Sequence, residues 1–88
     1  MIFALIYERR FLKDLDKISD PDVERIVSTV KQLAHDPTPK ECKKLKAKSD
    51  LFRVRQGDYR IIYEIDYAGK QVRILCARHR KDAYKDIN

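Results

Sequence analysis

The sequence predicts an α+β domain, and three observations carry that expectation. The chain opens on a short uncharged run of β-forming residues, passes through two apolar stripes at helical spacing, and continues into segments whose apolar residues alternate with a period of two. A strand, a helical pair and an antiparallel meander therefore follow one another, a segregated order rather than a repeating βα alternation. At 88 residues the chain has room for one hydrophobic core, so residues 1–88 are expected to form a single domain.

The elements follow from local chemistry. Ile2 to Tyr7 reads as a buried strand. Phe11, Leu15 and Ile18 recur at i, i+4 and i+7 with Arg9, Arg10, Lys13 and Asp14 among them, which fits a short amphipathic helix. Asp20 can cap a second helix, and Pro21 suits its first position because the missing N–H has no partner there in any case. Val23, Ile26, Val27, Val30, Leu33 and Ala34 then share one stripe up to about Asp36, where Pro37 and Pro39 forbid continuation. Phe11 to His35 is thus a helical hairpin. Residues 37–50 read as a solvated basic connection.

From Leu51 the period is two. Leu51–Arg55 is a strand, Gln56–Asp58 a turn, and Tyr59–Tyr67 a second strand with Tyr59, Ile61, Tyr63, Ile65 and Tyr67 on one face, most of these tyrosines packing under the helices. Ala68–Lys70 turns again, Gln71–Ala77 completes a three-stranded antiparallel meander, and Lys81–Ile87 forms a short C-terminal helix.

Composition excludes several classes of function. With 43% apolar and 39% charged residues the chain is too apolar to stay unfolded. Its apolar N-terminal run is too short for a signal segment or a membrane span, so a cytoplasmic protein with no membrane partner is expected. Cys42 and Cys76 form no CxxC, and His35 and His79 stand beside neither, so no metal site is expected and both thiols read as buried or idle. Gly57 and Gly69 alone cannot build a glycine-rich phosphate loop, and no cofactor is expected.

Charge is the more informative property. Twenty Lys+Arg against fourteen Asp+Glu leave +6, which directs attention to a polyanionic partner. The excess is uneven: residues 1–39 are near neutral, while residues 40–60 carry a net +5 and residues 73–85 a net +4. Adjacent antiparallel strands would bring those pieces to one surface, which either binds phosphates or keeps the protein soluble. Arg53 and Arg55 project from one strand face, Arg60 is their pairing neighbour across a tight turn, and Arg78 and Arg80 can join the cluster. Lys43, Lys46 and Lys48 would complete a cup around it. Guanidiniums gathered in this way repel one another unless water or an anion covers them, and each can grip phosphate oxygens with a planar fork.

Two stretches, Gly57-Asp58-Tyr59-Arg60-Ile61-Ile62-Tyr63-Glu64-Ile65-Asp66 and Ala77-Arg78-His79-Arg80-Lys81-Asp82-Ala83-Tyr84, resemble the RelE/ParE superfamily of toxins from toxin–antitoxin pairs. The family pattern is a GxYRxxYxxD-like strand followed by a terminal RxxRxxxY or HRxDxY stretch, and the likeness spans essentially the whole chain. It implies that the N-terminal strand joins the meander in a four-stranded sheet with both helices on one face. It also implies, for the RelE branch, ribosome-dependent and metal-independent cleavage of mRNA in the A site. The RNA 2′-hydroxyl attacks its neighbouring phosphorus, so the site needs cations for the crowded phosphorane and groups that move two protons.

By that resemblance Arg60 and Arg78 match positions that contact the scissile phosphate, and Tyr84 matches the tyrosine that stacks on a base. Arg53 and Arg55 stand where the best-studied branch carries lysines. An arginine is a poor general base, so phosphate clamping is their expected role. His79 is the candidate proton carrier, against the alternative of a structural histidine at a strand end beside Asp82. Glu64 shares a face with Arg60 and is either a base or, as the better reading, its salt-bridge partner. Arg73 and Lys70 read as ordinary exposed sheet charges. The resemblance further implies a cognate antitoxin that wraps the basic face, and contact with operator DNA only through that antitoxin. The competing expectation is a ParE-like toxin that inhibits DNA gyrase and is not a nuclease.

Overall fold

The computed structural model describes residues 2–82. Tyr84 and most of the expected C-terminal helix lie outside the described residues, and Lys81 and Asp82 occupy a turn. The elements run β1 (Ala4–Tyr7), α1 (Arg9–Leu15), α2 (Asp20–Leu33), β2 (Lys43–Lys44), β3 (Leu51–Gln56), β4 (Tyr59–Asp66) and β5 (Gln71–His79). They build one five-stranded sheet in the order β1-β5-β4-β3-β2. The meander β3–β4–β5 is antiparallel, and β1 lies parallel to β5 after the helical crossover.

The expected α+β class and element order hold, with a fifth strand added. Lys43 and Lys44 pair with Arg53 and Phe52, so the segment expected to be a solvated connection supplies a two-residue edge strand. Its sequence, a lysine run without alternation, carries no strand signal; pairing with the edge of β3 makes it one. Lys44 Nζ sits 5.8 Å from the Phe52 ring centroid, over the end of the core.

Periodicity decides which face is buried. Phe52, Val54, Ile61, Tyr63, Ile65, Val72, Ile74 and Ala77 line the inner sheet face and close one core with Phe11 of α1 and Ile26, Val30 and Leu33 of α2. The second helix starts one residue earlier than expected. Ser19 is its N-cap, with Val23 N–H donating to the Ser19 carbonyl at 2.9 Å, so Asp20 is the first helical residue rather than the cap. Both Asp20 and Asp22 then sit in the first turn, where the positive end of the helix favours them.

The tyrosine expectation divides. Tyr63 is fully buried, stacks on Phe52 at 5.8 Å and donates its hydroxyl to the Pro37 carbonyl at 2.7 Å, pinning the chain just after α2. Tyr59 is half-buried, and Tyr67 lies beyond the end of β4 and is 53% exposed. Gly57 adopts φ +60° at the first central position of the β3–β4 turn, the conformation a type II′ hairpin requires there.

Two features of β5 position the site. A register shift falls between Ile62 and Tyr63 of β4: Ile62 faces Cys76 while Tyr63 faces Ile74, so Leu75 is the extra residue of a bulge. The bulge reverses side-chain parity beyond it and turns Cys76 and Arg78 onto the outer face. In addition, β1 pairs β5 only as far as Ile74, and α1 packs against β5. The Ala77 N–H, beyond the end of β1, is satisfied by Asp14, whose Oδ2 accepts from it at 3.0 Å.

Candidate functional site

On the outer face, away from both helices, strand register sets three arginines in a line. Arg55 is the direct partner of Arg60 across β3–β4, and Arg60 is the direct partner of Arg78 across β4–β5. Directly opposed residues in an antiparallel pair have Cα atoms about 4.5–5.5 Å apart, so the three guanidiniums start from adjacent roots. Arg60 is the central and most buried of them, at 9% exposure, while Arg78 is half-buried and Arg55 exposed.

A second tier runs beside the first. Lys43 opposes Arg53, and Arg53 opposes Ile62, which opposes Cys76. Next to the row opens a hollow of about 490 Å³, lined by Leu45, Leu51, Ile62, Leu75 and Cys76 with Arg10, Lys46 and Arg78. Its floor is apolar and its rim cationic. Arg10 was not expected here: it comes from α1 and reaches the site because that helix lies along the part of β5 that β1 leaves uncovered. Asp14 holds it from one turn on, with Oδ1 3.5 Å from Arg10 Nε.

The remaining expected residues are placed as follows. Arg80 is exposed just past β5, and its N–H donates to the Asp58 carbonyl at 2.7 Å, so the chain is still tied to the β3–β4 turn there. Lys48 is exposed in the turn leading to β3. Strand alternation puts His79 on the face opposite Arg78, because β5 remains a strand to its last residue. His79 packs edge-on against Tyr59 at 5.4 Å, and its Nδ1 accepts the Lys81 N–H at 3.2 Å, so the neutral ring carries its proton on Nε2. Tyr84 lies outside the described residues.

One pairing expectation is corrected. Glu64 does share the outer face with Arg60, but its Oε1 lies 3.6 Å from Arg73 Nη1, and Arg73 Nε is 3.2 Å from Glu8 Oε1. Arg73, expected to be an ordinary surface charge, thus bridges two carboxylates. Register explains the choice: Arg73 is the direct cross-strand partner of Glu64, whereas Arg60 stands farther along the same strand.

The family model for the ParE toxin of type II toxin–antitoxin systems matches residues 5–84. The chain belongs to this toxin family. Within the wider RelE/ParE superfamily, the chain is 29% identical over 89 residues to a protein of Methanocaldococcus jannaschii that bears the name toxin RelE1, covering 98% of this chain and 99% of that protein. Among solved structures, the toxin resembles the archaeal RelE–RelB complex from Pyrococcus horikoshii with a TM-score of 0.82 and 28% identity, covering 94% of this chain and 100% of that one. The RelBE2 toxin–antitoxin complex from Mycobacterium tuberculosis gives a TM-score of 0.80 at 26% identity, with 91% and 100% covered. In this ParE-family toxin no helix among the described residues is long and apolar enough to cross a membrane.

Proposed function

We propose that this toxin is an endoribonuclease that cuts mRNA in the ribosomal A site, and that in the Arg55–Arg60–Arg78 row Arg60 and Arg78 grip the scissile phosphate while Arg55 holds a neighbouring one. The single observation that supports the reading is the row itself. Like charges directly opposed on neighbouring strands repel one another, and here two such pairs are consecutive. An oligoanion lying across them converts that repulsion into charge-assisted hydrogen bonds.

In the reaction the 2′-oxygen forms a bond to phosphorus and the bond from phosphorus to the 5′-oxygen breaks, leaving a 2′,3′-cyclic phosphate and a 5′-hydroxyl. Arg60 and Arg78 stabilise the doubly charged phosphorane, a contribution of about 10²–10³ in rate for one such donor. Arg53, Arg55 and Arg80 hold flanking phosphates, with Lys43, Lys46 and Lys48 around them. The proton of the 2′-hydroxyl passes to solvent at the mouth of the hollow, and the departing 5′-oxygen takes one from solvent there. His79, expected to carry a proton, stands on the face opposite the row and is left with a structural part at the end of β5. Tyr84 stacks on a base. No step calls on a metal. By analogy with the RelE–RelB and RelBE2 complexes, a cognate antitoxin binds this toxin. On this reading it covers the basic face, and operator DNA is reached only through it.

Primer extension on message in a translating extract tests the reading. Wild-type toxin is expected to produce discrete cuts and Arg78→Ala about 10²–10³-fold fewer. The second reading, inhibition of DNA gyrase by a non-nuclease, has one observation in its favour: the matching family model is that of ParE toxins. Intact message together with blocked DNA supercoiling would replace the first reading by the second.

A further inference from the structure

The sequence separates a nearly neutral helical half from a basic sheet half, yet three cations of the helical half stand at the site. Arg10, Lys13 and Lys17 lie on one side of α1 and its C-terminal extension, at i, i+3 and i+7. They face a cleft of about 390 Å³ between that helix and the end of β5, whose other wall is Tyr59, Ala77, Arg78, His79 and Asp82. Lys13 and Lys17 are exposed and Tyr59 half-buried, so the cleft is open to solvent and has an aromatic wall.

Two relationships show that it extends the arginine row. Arg10 and Arg78 line both this cleft and the 490 Å³ hollow on the outer sheet face, forming the ridge where the two meet. The cleft is also cationic on balance, with Arg10, Lys13, Lys17 and Arg78 against Asp14 and Asp82. Asp14 is already engaged at both oxygens, Oδ2 by the Ala77 N–H at 3.0 Å and Oδ1 by Arg10 Nε at 3.5 Å.

We infer that the cleft between α1 and the end of β5 is a second nucleotide subsite, in which Lys13 and Lys17 hold the phosphate next to the one on the arginine row and Tyr59 contacts the adjoining base. A cationic rim over an aromatic wall is the arrangement that binds single-stranded nucleic acid with little demand on sequence. The inference rests on the reading of the row as an RNA site and names the path the strand takes away from it, around Arg78 toward α1.

The test is equilibrium binding of a fluorescein-labelled, fully 2′-O-methylated RNA dodecamer, which lacks the nucleophile and is not cut, measured across a salt series. Lys13→Gln/Lys17→Gln changes only exposed side chains and leaves the core untouched. It is expected to weaken dodecamer binding roughly tenfold and to lower the slope of log K against log salt by about 0.7, the loss of one phosphate contact on a single strand. Binding of a trinucleotide of the same chemistry, short enough to be held by the row alone, is expected to be unchanged. If the double variant binds the dodecamer with wild-type affinity and slope while Arg78→Ala is weakened, the subsite is refuted and the arginine row stands. If Arg55→Ala and Arg78→Ala bind as wild type, the RNA reading itself is refuted and the subsite with it.

Discussion

Arg60 and Arg78 are direct register partners across β4 and β5, on the sheet face that carries neither helix. Without the bulge at Leu75, Arg78 would fall on the inner face among the core residues. One extra residue in β5 therefore decides that a guanidinium from the end of the chain meets one from the middle of the sheet. Arg55 on the far side of Arg60 extends the pair to a row.

Removal of Arg78 separates function from folding. Arg78→Ala should reduce message cleavage about 10²–10³-fold in the primer-extension assay. Its melting temperature should fall only a little, because Arg78 stands on the outer sheet face and is no part of the buried core. Lost cleavage accompanied by a large drop in melting temperature would mean that the side chain is structural.

An anion that fills the row should stabilise the fold by mass action. Inorganic phosphate should raise the melting temperature above that in sodium chloride of matched ionic strength, by about 4–8 °C for each kcal/mol of binding linkage. The Arg55→Ala/Arg78→Ala variant should melt at the same temperature in both salts. An equal phosphate effect in this variant would place the anion elsewhere.

Asp14 joins α1 to the part of β5 that β1 does not cover. Asp14→Ala leaves the Ala77 N–H without its acceptor and should cost about 1.5–3 kcal/mol by urea denaturation, the range for a hydrogen bond to a charged group. Asp14→Asn keeps an acceptor oxygen and should cost less. Equal losses in the two variants would assign the effect to the Arg10 ion pair instead.

Tyr63 makes stability depend on alkaline pH. Burial, aided by the neighbouring Cys42, raises its phenol well above the ordinary value of 10.0. The folded state thus keeps this proton when the unfolded chain has lost it. Its contribution is intact below about pH 10 and declines as pH rises beyond that. Tyr63→Phe should show a weaker alkaline decline and, through loss of the 2.7 Å bond to Pro37, a neutral-pH cost of about 0.5–1.5 kcal/mol. A phenol that titrates in the native protein by ultraviolet absorbance near pH 10 would contradict the burial argument.

Much of the fold was legible because its signals are local. The stripe from Val23 to Leu33 and the alternation through Ile61, Tyr63 and Ile65 each state a period and hence a buried face. Two errors came where non-local pairing outweighs local signal. The lysines at 43 and 44 become a strand only by meeting Arg53 and Phe52, and Glu64 chooses Arg73 over Arg60 because register sets Arg73 opposite it. At the site, Arg60 as the cross-turn neighbour of Arg53 and Arg55 was legible from the tight turn read at Gln56–Asp58; the structure shortens that turn to Gly57 and Asp58 and makes Arg55 the direct partner of Arg60. Arg10 beside Arg78 could not, since no sequence spacing relates a helix side chain to the uncovered edge of a strand nearly seventy positions away.

The amino-acid order alone determined the class of the domain, its helical pair, its meander and the concentration of positive charge in the later half, because each depends on residues within a turn or two of one another. Only the tertiary structure decided that β5 bulges at Leu75, that α1 completes the edge β1 leaves bare, and that Arg10, Lys13 and Lys17 stand beside the arginine row. Those relationships are set by packing across the sheet, where the energy of fitting distant segments together outweighs the preference of any one of them.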